Sequence, residues 1–413
     1  MSGQSALIPP PISAPEVRRL AGEWARGLDD VAREMHAFLT ARIPQVSGDP
    51  EISDLTLASC ASNVEAILSM IRHGIPGSAT EAPIAALEHA RRMAARGHGI
   101  DATLRFYRVG HAYFWERWSA ELVGAIDDRE RLVTAMRETA AFVFHYIDEV
   151  SGQVSTEYLA ERERRQRRAA VVRADLVRAV LAGETVDRPG AEQGLGHQFG
   201  PRQVAFLCWS DGDPAQLERA AGAVARAHGA SRTLMVPEGP HALAGWLNAV
   251  GPADPAALLE RLREVAPEVG LALGDPGAGI DGFRASHDQA RRARRVAELI
   301  GGPSPALTAY RDVALIDLLS RDLDAARGFV RAELGELAAD DPATRRDRRT
   351  LLAVVAPNGG PGVAAHELEV HRNTVLQRVR RAEALRGRSI QERPTELLAA
   401  LVLADALDRT VLD

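Results

Sequence analysis

Between positions 371 and 381 the chain sets His371, Arg372, Asn373, Thr374, Gln377, Arg378 and Arg381 along one predicted helix. These side chains suit a DNA duplex. Arginine pairs through two hydrogen bonds with the O6/N7 edge of guanine, and asparagine or glutamine does the same with the N6/N7 edge of adenine. His371, Arg372 and Asn373 stand at the helix entrance, the end that a two-helix DNA reader points into the major groove. Gln377 follows one turn later on the same side. Thr374, Arg378 and Arg381 are expected to meet phosphates, Thr374 with the help of the positive end of the helix dipole.

The elements that must hold these residues are legible around them. Val375, Val379, Ala382 and Leu385 recur at i, i+4, i+7 and i+10, which gives the helix one apolar face. A short helix from Val363 to Leu368 precedes it across a three-residue turn, Glu369, Val370 and His371. An earlier helix carries Leu351, Leu352 and Val355 and stops before the PNGGP at 357–361. Two helices joined by a short turn, the second strongly basic, make a helix-turn-helix. The charge agrees locally. The whole chain carries −6, yet residues 345–393 hold 11 Arg against 5 acids, a local +6 that leaves −12 on the rest. Such a module binds phosphate while an acidic body stays in solution. Every basic residue other than histidine is arginine, which genomic base composition explains most simply.

The remaining residues, upstream, form two further regions. Residues 1–12 are Pro-rich and read as disordered. Ser13 and Glu16 suggest a capping box, with Pro15 in a first helical turn. Val17, Leu20, Trp24, Leu28, Val31, Met35 and Phe38 then form one apolar helical stripe. Four more helices follow, one ending at His73 and Gly74, one from about Pro83 to Arg96, one carrying Leu104 to Leu122, and one carrying Leu132 to Val150. The ERERRQRR run at 161–168 lies in a stretch free of Gly and Pro from Val154 to Ala182. It reads as a solvated connecting helix, with pairing to its copy in a dimer as a second use. Beyond Gly183 strands enter: VAFLCW at 204–209, TLMVP and HALAGWL as a hairpin around Glu238, and VGLALG at 269–274. Helices intervene at 214–228, 255–265 and 283–299. GGPSP at 301–305 reads as a linker, after which helices dominate.

Several chemistries are excluded or disfavoured. Cys60 and Cys208 lie far apart with no metal-ligand spacing, which fits a reduced, cytoplasmic protein without disulfides, and no metal site or cofactor is expected. No apolar run is long enough for a membrane span, and the first residues lack the pattern of a secretory signal. His98, His111 and His145 with Trp115 and Trp118 are candidates for lining a cavity in the helical region. Aromatics at helical spacing are first of all core, so no effector residue is assigned.

The string GVAAHELEVHRNTVLQRVRRAEALRGRSI, followed by LLAALVLADAL, resembles the C-terminal helix-turn-helix of PucR/CdaR-type bacterial transcriptional regulators. Ala364, Ala365, Leu368, Val370, His371, Arg372, Asn373, Thr374, Arg378, Arg381, Glu383, Leu385 and Gly387 fall into that family's register. Gln377 stands where the family has Tyr, so an operator cannot be borrowed from relatives. LALGDPGAGIDGFRASHDQARRAR is similar to the end of a GGDEF-like domain, and residues 14–158, including LRFYRVGHAYFWERW, look like an RsbR-type helical N-terminal domain. The resemblance implies a multidomain, mainly α protein: a helical bundle at 14–158, a connecting helix at 159–182, a degenerate GGDEF-like α+β domain at 183–300, a linker and helices at 301–344, and an all-α helix-turn-helix domain at 345–413. It implies a sequence-specific regulator that binds double-stranded DNA as a homodimer or homotetramer, answering a small-molecule or stress signal that the sequence does not identify. The alternative is a signalling scaffold of the stress-response type that never touches DNA. Catalysis is not expected. The turn around Glu238 has one carboxylate where a diguanylate cyclase needs an acidic, Gly-rich hairpin to hold two metals. The segment from Gly274 to Gly279 is a poor phosphate fingerprint.

Overall fold

The computed structural model describes residue 9 and residues 11–44, 48–302 and 306–412. Most of the Pro-rich start and the last three residues of GGPSP lie outside them. Two compact units divide the chain, Met1–Ala170 and Val171–Asp413. No described helix is long and apolar enough to cross a membrane.

The first unit is all helical: α1 (Pro15–Arg26), α2 (Leu28–Thr40), α3 (Pro50–His73), α4 (Ile84–Ala95), α5 (Ile100–Ala125) and the start of α6 (Arg129–Ala182). Three expectations need correction here. The apolar stripe from Val17 to Phe38 is two helices, because the chain turns at Gly27, whose N–H closes back on the Trp24 carbonyl at 3.0 Å. Periodicity ran on across the break because both helices face the same core. The capping box does not form. Ser13 gives both its N–H and its hydroxyl to the Glu138 carboxylate, at 3.1 and 2.9 Å, and the N-cap is Ala14. A carboxylate from outside the local sequence won the donor. Nor is the start wholly disordered: Ile12 is buried in the core, and its carbonyl accepts a two-pronged donation from Arg18 at 3.0 and 2.8 Å.

Aromatic packing fills this unit. Trp118 is fully buried, with Phe114 stacked on it and Trp24 edge-on at 5.2 Å. α3 begins on an Asp49 cap and ends on Gly74 in the left-handed region, at φ 63°. α6 is continuous for 54 residues, so the last bundle helix and the connecting helix are one element, about 80 Å long at 1.5 Å per residue. Residues 162–172 are exposed on every side. Ion pairs along the helix, Arg164 with Glu161 and Arg167 with Glu163, suit a solvated stretch.

The second unit starts in the end of α6 and α7 (Arg188–Leu195) and then builds a five-stranded sheet. Its strands are β1 (Gln203–Trp209), β2 (Thr233–Pro237), β3 (Ala242–Asn248), β4 (Gly270–Leu273) and β5 (Ala306–Ala309), in the order β2-β3-β1-β4-β5. All pairs are antiparallel except β4 with β5. β1 is buried on both faces. Val204, Phe206 and Cys208 pack with α8 (Ala215–Ala227) and α9 (Pro255–Val265), while Ala205 and Leu207 pack with α10 (Gly279–Ile300). Both cysteines are buried free thiols. β5 and α7 are elements that the sequence pattern does not announce. β5 is only ALTA, too short to show a period, and it borrows its pairing from β4.

After β5 come α11 (Tyr310–Leu319), α12 (Leu323–Leu334), α13 (Pro342–Val355), α14 (Pro361–Glu367), α15 (Arg372–Arg386) and α16 (Pro394–Leu407). Leu397, Leu401 and Leu407 of α16 are buried with Val330 and Leu334 of α12 and Leu351 of α13, so the last apolar stripe serves this unit's own core. Arginine forks recur as clasps on main-chain carbonyls. Arg295 donates to the carbonyls of Asp317 and Ser320, both at 3.0 Å, and Arg348 to those of Leu337 and Ala339 at 2.8 and 2.7 Å.

One buried group makes the first unit sensitive to acid. His89 donates or accepts at 3.1 Å with Thr56 and sits edge-on to Phe106, and burial, aided by the positive charge of His98, holds its pKa down to about 4. An unfolded histidine titrates near 6.5, so the folded state binds fewer protons below that pH. Stability is therefore intact above about pH 6.5 and falls as pH drops from there toward 4. Hydrogen exchange of α3 amides should show opening free energy about 2 kcal/mol lower at pH 5 than at pH 7, and His89→Gln should remove most of that difference. Equal pH dependence in both proteins would sink the assignment to His89.

Candidate nucleic-acid interface

α14 and α15 meet across a turn made of Leu368, Glu369 and Val370. The Leu368 N–H bonds the Ala364 carbonyl at 3.0 Å and the Val370 N–H bonds that of Ala365 at 3.0 Å. Glu369 holds φ 52°, a left-handed conformation that costs a residue with a Cβ about 1–2 kcal/mol. His371 is the N-cap of α15, its Nδ1 accepting from the Asn373 N–H at 3.2 Å. That bond places the ring proton on Nε2, which points a donor away from the helix start. Val375, Val379 and Ala382 are buried, as the sequence period requires, and Gly387 ends the helix at φ 71°.

The sequence-selected residues separate into two sets. Arg372, Asn373 and Gln377 are exposed, with Asn373 and Gln377 one turn apart on the outward side. Thr374 is half-buried at the third helical position. Arg378 and Arg381 turn toward α13 instead. Arg378 Nη1 donates to Thr350 Oγ1 at 3.2 Å, and Arg381 Nε lies 3.4 Å from the buried Asp347 carboxylate. Burial pushes the Asp347 pKa up, and Arg381, Arg378 and Arg346 pull it back down. Sequence inspection missed Arg380 and Leu376. Arg380 is exposed with no hydrogen bond or ion pair among the described residues, and Leu376 is 36% exposed on a helix whose other aliphatic side chains turn inward. Projecting α15 at about 100° per residue puts Arg380 about 20° to one side of Asn373 and Gln377 about 40° to the other, so all three share the outward face.

The local excess of arginine also needs redistribution. Arg386 is buried, with Nε on the Glu333 carbonyl at 2.9 Å and Nη2 at 3.3 Å from the Glu333 carboxylate. It donates as well to the carbonyls of Ser389 and Glu392, at 2.7 and 2.9 Å. Arg393 and Arg388 reach the same carboxylate at 3.0 and 3.7 Å. Arg345 pairs with Asp340 and Asp408. These acids lie outside residues 345–393, so a count within that window overstates the free charge. Within residues 345–393, the exposed guanidiniums with no hydrogen bond or ion pair among the described residues are Arg346, Arg349, Arg372 and Arg380.

Glu238, at the β2–β3 turn, is held by His287 Nε2 at 3.1 Å, which keeps its carboxyl below the usual range. Among the described residues no group of three or more His, Cys, Asp or Glu is placed to hold a metal ion. Two of the three glycines of GDPGAG serve packing. A Cβ on Gly274 would lie 1.9 Å from the Ser286 carbonyl oxygen of α10, and one on Gly277 2.5 Å from Gly282 Cα.

Three family models match the chain. The RsbT co-antagonist protein rsbRD N-terminal domain matches residues 29–173, the GGDEF-like domain residues 183–296, and the PucR C-terminal helix-turn-helix domain residues 348–404. Among solved structures the chain is similar to a regulator of polyketide synthase expression from Bifidobacterium adolescentis, at 20% identity over 58% of this chain and 94% of that one, with a TM-score of 0.29. That score is too low to bear on the fold. No curated protein matches.

Because Glu333 is the counter-charge for a buried guanidinium, Glu333→Ala should be costly. Breaking a buried pair by removing one partner costs about 3–5 kcal/mol. Native-state hydrogen exchange of α15 amides in the full chain should show a loss of that size. A loss under about 1 kcal/mol would mean that Glu333 does not anchor the helix.

Proposed function

We propose, on the strength of the three matched domains, that this chain is a DNA-binding regulator of the PucR/CdaR type and that α15 reads sequence through Arg372, Asn373 and Gln377. The observation that carries this reading is the outward face of α15, where those side chains stand exposed beside Arg380 and Leu376. Arg372 is assigned to a guanine edge and Asn373 and Gln377 to adenine edges. Leu376 suits the methyl group of thymine. Arg380, Thr374 and the Nε2–H of His371 take phosphate oxygens. Arg378 and Arg381 act mainly by holding α15 against α13, with phosphate contact secondary.

The working form is proposed to be cytoplasmic, non-catalytic and a symmetric dimer or tetramer that answers a small-molecule or stress signal. A single recognition helix reads too few base pairs to single out a genomic site, and two-fold symmetry doubles it over half-sites one helical turn apart. Val171 and Val172, 59% and 61% exposed on α6, are the apolar residues proposed to meet a second copy.

Binding to duplex DNA should fall steeply with salt, as counterion release requires. Arg372→Ala should cost about 1–3 kcal/mol and relax preference at one base pair. Arg380→Ala should weaken all sequences alike and reduce the salt slope by about 1. Competition with single-base operator variants separates the two. A full-length protein that shows no salt-dependent retention on duplex DNA would favour the signalling scaffold. Light scattering at micromolar concentration should give a dimer or tetramer, and Val171→Glu with Val172→Glu should shift it toward monomer. A monomeric parent that still binds one operator tightly would refute the symmetric form.

A further inference from the structure

Inside the first unit, among α2, α3, α4, α5 and α6, lies a cavity of about 60 Å³. Its wall is largely apolar, with Met35, Leu39, Val64, Ile67, Phe114 and Val143. Three buried polar atoms on that wall have no hydrogen-bond partner: His89 Nδ1, Tyr107 Oη and His111 Nε2. His89 and Tyr107 are only 1% and 6% exposed. Buried polar atoms in folded proteins are nearly always paired, so unpaired ones facing a cavity point to something that pairs them.

We propose that this cavity is a binding site for a neutral molecule of a few non-hydrogen atoms carrying one hydroxyl group. The hydrogen-bond inventory sets the hydroxyl. Thr56 Oγ1 spends its one hydrogen on the Ile52 carbonyl at 2.7 Å, so it accepts from His89 Nε2 at 3.1 Å. The His89 proton is therefore on Nε2, and Nδ1 is a bare acceptor. Tyr107 approaches Ser59 without completing a hydrogen bond, leaving its hydroxyl a donor in need of an acceptor. A hydroxyl group is donor and acceptor at once and answers both.

Neutrality follows from the wall. It contains no Asp, Glu or Arg. Burial keeps the Tyr107 hydroxyl protonated, pushes the Cys60 thiol up to about 12 and holds His89 down to about 4. A charged ligand would enter without a counter-charge and lose its hydration. Size follows from the volume, about four to six times the ~10–15 Å³ of such space that one water needs, which is room for a molecule of a few non-hydrogen atoms.

The site is the structural counterpart of the small-molecule signal proposed above, and its test needs no DNA. Saturation-transfer NMR on the full chain with 1-propanol, 1-chloropropane and propionate compares a hydroxyl, the same shape without one, and a charge. 1-Propanol should saturate with a Kd between roughly 0.1 and 10 mM, in keeping with so small a ligand. 1-Chloropropane should bind at least about fivefold more weakly, the loss expected when one hydrogen-bonded group is missing. Propionate should not bind. Tyr107→Phe should erase the preference for the alcohol. Gly110→Ala, whose added Cβ would lie 3.8 Å from Met35 Sδ without a clash, should weaken both neutral probes by narrowing the space. Absence of saturable binding, equal binding of propionate, or an alcohol preference that survives Tyr107→Phe would overturn the proposal. Failure of DNA binding would leave these outcomes untouched.

Discussion

The C-terminal helix-turn-helix is organised around one carboxylate. Glu333, on α12, lies almost wholly inside the protein and receives Arg386 from the end of α15, with Arg393 and Arg388 at its rim. Such a pair is weak evidence for stability, since desolvation offsets most of its attraction. Its value here is positional. Arg386 has no second geometry in which its guanidinium meets a carboxylate and three carbonyls together, so the pitch of α15 is set from its C-terminal end. At the other end His371 caps the helix, and between them Arg378 and Arg381 tie one flank to Thr350 and Asp347 on α13. The outward face is left free because the inward arginines hold the scaffold.

That division explains what the sequence disclosed and what it hid. The start of α15 at Arg372 and the buried stripe of Val375, Val379 and Ala382 were legible, because each follows from local period and capping, whereas the preceding helix runs Pro361–Glu367 rather than from Val363 to Leu368 and the turn is shifted one residue earlier. The partition of arginines was not. Arg372 and Arg386 look alike in a string, and what distinguishes them is Glu333, some forty residues upstream of Arg372. Arg380 was overlooked although geometry alone would have placed it on the outward face. Distance in sequence hid the other cases as well: Glu138 took the Ser13 donor, and β5 exists only because β4 lies beside it.

The middle region shows the same economy. Its glycine-rich segment resembles a phosphate loop in composition, yet the close approach of β4's exit to α10 leaves no room for a Cβ at Gly274 or Gly277. β3 repeats the device, where a Cβ on Gly245 would fall within the Phe206 ring at 2.1 Å. Glycine composition alone does not distinguish a loop that cradles an anion from a backbone that packs against a helix. The partner element decides.

The arginine clasps carry a consequence for how this protein can change over generations. A guanidinium spans two or more carbonyls from different nitrogens at fixed angles, as Arg295 does with Asp317 and Ser320 and as Arg386 does with Glu333, Ser389 and Glu392. Lysine offers a single point charge and cannot bridge them in the same plane. A drift in genome composition that favours lysine codons would therefore be tolerated at Arg346 or Arg349 and costly at Arg295 and Arg386. At the clasps, then, geometry holds arginine in place whatever sets the composition of the surface.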